Sequence, residues 1–148
     1  SARESRWTVF SLSAIDVAAA FAWARRHISA NVVVAGYSYG SSVALTTAFT
    51  QKAAAYCGIS LPFSRASSDW GPEREHARSE SLRQRGLDLP ALYLVGAADS
   101  KTPVAEVKRM VKLRPDGGSG AAVREIEGAN HAMAGHEEEA AAACVGGV

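Results

Sequence analysis

The chain alternates short apolar runs with segments whose apolar residues recur at helical spacing. Val17, Phe21, Ala24 and Ile28 stand three or four residues apart and form one stripe, with Trp23 beside it. This spacing predicts an amphipathic helix. Ser13 with Asp16 resembles a capping box that opens it, and Arg25, Arg26 and His27 suit its C-terminal dipole. Residues 1–12 carry no usable periodicity and are expected to form an irregular lead. Asn31-Val32-Val33-Val34-Ala35 then predicts a strand of the kind buried on both faces of a parallel sheet. A helix follows from Ser41 to about Thr50, a second strand over 54–60, and a loop at Leu61-Pro62-Phe63.

From Ser64 to Gly86 the composition changes to Ser, Arg, Glu and Gln. Glu73 to Arg85 reads as a polar surface helix, so 64–88 is either a crossover helix or a small lid. Leu89 to Gly96 is a third strand, and Pro103 suits the first turn of a helix striped by Val104, Val107, Met110 and Val111. Residues 114–120 read as a flexible loop. Residues 122–127 alternate apolar with charged, as an edge strand exposed on one face would, and a Glu- and Ala-rich helix closes the chain. Strands alternating with helices predict a single α/β domain over 1–148, with a mainly parallel sheet covered by helices on both faces.

Composition narrows the function classes. The chain has 148 residues, enough for a core; 47% are apolar and 21% charged, with a formal net charge of +1. That balance argues against a disordered chain and against a nucleic-acid binder, which would carry a basic excess. No stretch is long enough to span a membrane, and Asp16 and Arg25-Arg26 interrupt anything resembling a signal peptide. Cys57 and Cys144 stand in no metal-ligand spacing. Cys57 reads as a buried free thiol and Cys144 as lying near a mobile end; a reducing, cytoplasmic setting fits, with no metal or cofactor expected.

The candidate chemistry begins at Gly36-Tyr37-Ser38-Tyr39-Gly40, a G-x-S-x-G between a strand and a helix. In that context the serine sits on a sharp, strained turn with its hydroxyl exposed. The two glycines are expected to serve unusual backbone angles and close approach of helix to strand. In parallel α/β sheets active groups gather at the carboxyl ends of strands. Ser38, Asp99 and His131 occupy such positions after the first, third and fourth strands. A serine hydroxyl needs a base, histidine titrates near neutrality, and a carboxylate on the far ring nitrogen fixes the tautomer. The backbone N–H of Tyr39 is the expected oxyanion donor. His136 and His76 are rival bases, and Asp69 and Glu73 rival acids.

Three segments carry a resemblance: Gly36-Tyr37-Ser38-Tyr39-Gly40-Ser41, Leu94-Val95-Gly96-Ala97-Ala98-Asp99 and Gly128-Ala129-Asn130-His131. Over about residues 13–140 the chain resembles the small, cap-poor serine hydrolases of the α/β-hydrolase superfamily, of the dienelactone-hydrolase-like or esterase-like sort. The resemblance implies a serine hydrolase that cleaves an ester, thioester or related acyl bond of a small molecule, with no cofactor. It also makes Asp99 the preferred acid, because Gly96 and Pro103 frame it in the way the family resemblance implies. Tyr37, Leu61 and Phe63 are then expected in the acyl-pocket wall. The strands that precede the nucleophile in that family, and the loop giving a second oxyanion N–H, have no counterpart in this sequence. The expected fold is therefore an N-terminally truncated three-layer sandwich with strand 31–35 as an exposed apolar edge, where a homodimer or another chain pairs. Two alternatives stand beside catalysis: a non-catalytic binding or scaffolding module using that edge, and an inactive fragment of a longer hydrolase.

Overall fold

The computed structural model describes residues 2–62 and 89–147. Its elements are α1 (Ala2–His27), β1 (Val33–Tyr37), α2 (Tyr39–Thr50), β2 (Ala55–Ile59), β3 (Ala91–Gly96), α3 (Val104–Lys112), β4 (Ala121–Ile126) and α4 (Glu137–Gly147). The four strands form one wholly parallel sheet in the order β1-β2-β3-β4. Phe63 and the 64–88 segment, with both its lid and its crossover readings, lie outside the described residues, as do Asp69, Glu73 and His76.

Side chains alternate across the sheet, and the two sets meet different helices. Val34, Tyr56, Tyr93 and Val95 join Ala44, Leu45 and Ala48 of α2, Val107 and Val111 of α3, and Phe21 of α1 in the main core. On the opposite face Cys57, Leu92 and Leu94 pack against Ala143 of α4. Helices therefore cover both faces. Amphipathic α3 shows the logic in small: Val107 and Val111 are buried, while Lys108 reaches out to an exposed ion pair with Glu125 of β4 at 3.2 Å. Such a surface pair contributes little, and burial of the valines is what holds the helix.

Four local expectations are corrected. The lead is not irregular: α1 starts at Ala2 and runs through Ser13, which therefore does not cap it. Residues 2–12 contain neither Gly nor Pro, so nothing stops a helix nucleated downstream from propagating through them. Its predicted stripe is also narrower. Phe21 is buried, but Ile28 lies past the helix end at 73% exposure, because α1 packs chiefly on α2 and not on the sheet. Arg25 fastens that contact, donating to the Gln51 carbonyl beyond the end of α2 at 2.6 Å.

The valine run is buried on one face only. Val34 points into the core, whereas Val33 is 44% exposed, because α4 covers β3 and its neighbours and leaves β1 open. Finally, 114–120 is a tied turn. The buried Arg114 guanidinium bonds both carboxylate oxygens of Asp116 at 3.1 and 3.0 Å and the Leu89 carbonyl at 2.9 Å. Asp116 in turn accepts from the N–H groups of Gly118 and Gly120.

Candidate active site

The strand-to-helix turn after β1 consists of one residue. Ser38 has φ 49° and ψ −121°, a combination that costs about 1–3 kcal/mol for a residue with a side chain. Neighbours hold it there. Its N–H donates to the Ile59 carbonyl of β2 at 2.8 Å, and its carbonyl accepts from the Ser41 N–H at 3.0 Å and from the Ser41 hydroxyl. Tyr56, buried on β2, donates its hydroxyl to the Ser41 carbonyl at 2.9 Å and so ties the first turn of α2 to the sheet. The motif glycines divide unequally. A Cβ on Gly36 would strike the Gly40 carbonyl, so Gly36 is what lets α2 lie on β1. A Cβ on Gly40 meets nothing within 4 Å among the described residues, and neither glycine takes the unusual backbone angles, which fall on Ser38 itself.

Asp99 follows β3 in a turn closed by its own side chain. Its Oδ1 accepts the N–H groups of Lys101 and Thr102 at 2.8 and 3.0 Å. The carboxylate is completely buried, so those donors replace the water it has lost. The loop after β4 comes to it. The Ala98 N–H donates to the Ala129 carbonyl at 3.0 Å, an approach that a Cβ on Gly96 would block. Gly128 at φ 72° and Met133 at φ 56° bend this loop, with Ala129 and Met133 buried beneath it.

These turns bring Ser38, His131 and Asp99 into one chain of hydrogen bonds. Ser38 Oγ lies 2.8 Å from His131 Nε2, and His131 Nδ1 lies 2.8 Å from Asp99 Oδ2. An ionised carboxylate only accepts, so Nδ1 carries the proton and Nε2 is left to accept from the Ser38 hydroxyl. Tyr39 is the first residue of α2, and its N–H stands at the positive end of that helix. His136 stands apart, 3.4 Å from Glu139.

The remaining sequence-predicted residues separate. Tyr37 donates its hydroxyl to the His131 carbonyl at 3.1 Å, and the two rings lie 6.1 Å apart, so it braces the histidine loop. Leu61 is 1% exposed and packs within the main core. The supporting contacts of Tyr37, Ser41 and Tyr56 were not foreseen. Only the Asp99 turn had a local signal, an Asp two and three residues before the N–H groups it binds. Among the described residues no group of three or more His, Cys, Asp or Glu side chains could hold a metal ion, and no helix is long and apolar enough to cross a membrane.

No family model matches the sequence, and no curated protein matches it significantly. Solved structures do. An α/β serine hydrolase homologue from Coxiella burnetii superposes with a TM-score of 0.68 at 23% identity, over 90% of this chain and 57% of its own. The esterase domain of a Rhodothermus marinus protein gives 0.67 at 16% identity, over 89% and 65%. An α/β serine hydrolase without lid from Xanthomonas campestris gives 0.60 at 18%, over 86% and 51%. The chain thus spans less than two thirds of the length of each. With its parallel sheet, its helices on both faces and these likenesses, the chain has an α/β-hydrolase fold.

Proposed function

We propose that the chain carries the catalytic machinery of a serine hydrolase acting on an ester, thioester or related acyl bond of a small molecule. The single observation behind this reading is the unbroken Ser38–His131–Asp99 hydrogen-bond chain at 2.8 and 2.8 Å, built from three strand ends. In this mechanism His131 Nε2 takes the proton from Ser38 as Oγ attacks the acyl carbon. The Tyr39 N–H receives the developing oxyanion, with the dipole of α2 behind it. Asp99 stabilises the imidazolium, which then protonates the leaving group, and the bond from the acyl carbon to that group breaks as the acyl-enzyme forms. A water deprotonated by His131 releases the acid. Tyr37, at the rim beside His131, is the residue best placed to meet substrate. The two free cysteines fit a reducing compartment such as the cytoplasm.

The test is covalent labelling by a fluorophosphonate. Wild type should label and Ser38→Ala should not; a folded wild type that resists labelling refutes the reading. One observation favours a second reading, a strand-pairing module without catalysis: β1 is an edge strand among the described residues, with Val33 44% exposed on it. That reading requires a dimer or a bound partner whether or not Ser38 is present.

A further inference from the structure

We propose that Cys57 and Cys144 are a dithiol that closes to a disulfide between the sheet and the last helix when a small disulfide, such as oxidised glutathione, reaches Cys144. The two sulfurs are 2.9 Å apart although 87 positions separate the residues. Both thiols are free, Cys57 wholly buried in the middle of β2 and Cys144 partly exposed on α4. Around them lie Leu92, Leu94, Ala143 and Ile59, an apolar setting. A disulfide has a sulfur separation of about 2.05 Å, so closure moves the sulfurs together by less than about 1 Å. The pair is independent of the hydrogen-bond chain at Ser38 and uses none of its residues.

The exposures set the order of events. Cys144, the reachable thiol, loses its proton and attacks one sulfur of oxidised glutathione, releasing one glutathione thiolate and leaving Cys144 as a mixed disulfide. Burial and the neighbouring Cys144 sulfur hold the Cys57 thiol well above the ordinary cysteine range, so Cys57 waits as a thiol. Once it gives up its proton it attacks the Cys144 sulfur and expels the second glutathione thiolate. The sum is two protein thiols plus one oxidised glutathione giving one protein disulfide plus two reduced glutathiones. In a reducing compartment the pair stays open. Oxidation clamps α4, and with it Ala140 under the His131 loop, to the strand whose Ile59 carbonyl holds Ser38.

The experiment exposes the full chain to oxidised glutathione and follows intact mass, thiols titrated in denaturant, and thermal unfolding. Wild type should lose two hydrogens and both thiols, yield one cross-linked peptide pair joining Cys57 to Cys144, and melt roughly 5–10 °C higher. Cys144→Ser should form no bridge, and Cys57→Ala should keep glutathione on Cys144. Two thiols still titrating in treated wild type, a lasting glutathione adduct on it, a bridge between two molecules, or an unchanged melting temperature each overturns the proposal. The wild-type readouts decide the matter even if a variant fails to fold.

Discussion

At Asp99 a single carboxylate has three N–H partners, two from its own turn and one from His131 Nδ1. An asparagine there keeps an oxygen for the Lys101 and Thr102 N–H groups but turns its amide toward the ring. Nδ1 must then become the acceptor and Nε2 the donor, the wrong tautomer for taking a proton from Ser38. Under the proposed function, Asp99→Asn should fold normally and lose about four orders of magnitude in kcat on an activated ester; activity within tenfold of wild type would remove Asp99 from its role. Ser38, Asp99 and His131 were readable as candidates because each lies in a local signature at a strand end. Tyr37 was read only as a pocket wall, since its bond to the His131 carbonyl joins residues 94 positions apart and no local pattern encodes it.

Among the elements, the β1–α2 turn sharpens what its glycines do. Gly36→Ala places a methyl group against the Gly40 backbone and should cost at least about 2 kcal/mol in urea unfolding, because backbone cannot swing aside as a side chain can. Gly40→Ala, inside α2 with no described residue within 4 Å of its Cβ, should be neutral or more stable by up to about 1 kcal/mol. Equal losses for both would contradict the packing. The turn after α3 makes a separate prediction about acid. Arg114 and the Gly118 and Gly120 N–H groups hold the Asp116 carboxyl down to about 2 from its usual 3.8. A lowered folded-state pKa adds stability in full above the unfolded value, and that stability is lost as pH falls through the folded one. The Asp116 contribution should thus fade between about pH 4 and pH 2. Asp116→Asn should be less stable than wild type near neutrality, and the difference should shrink across that window; a constant difference down to pH 2 would separate the turn from its charge. The Arg-Pro-Asp-Gly-Gly-Ser-Gly string looked flexible because turn composition says nothing of a buried guanidinium anchored to Leu89.

For the molecule as a whole, the open side of β1 is the feature with the widest consequence. Val33, on the part of the α4-bearing face that α4 leaves open, lies on a strand that is an edge of the sheet among the described residues. An unpaired apolar edge of this kind recruits other strands, and lysine on an edge blocks them. If β1 pairs with a second copy, wild type should show concentration-dependent association in sedimentation and Val33→Lys should remain monomeric. A wild type monomeric at every concentration would end that expectation. The alternation of strands and helices, the parallel sheet and the chain order of serine, aspartate and histidine were legible in the amino-acid sequence, because periodicity and turn chemistry act over a few neighbouring residues. Folding in three dimensions alone decided that α1 reaches back to Ala2 yet buries only part of its stripe, that Leu61 goes to the core, that Cys57 meets Cys144, and that three separate turns close to 2.8 Å. Each of these depends on which face of one element a distant element covers, and that is set by packing between segments far apart in the chain.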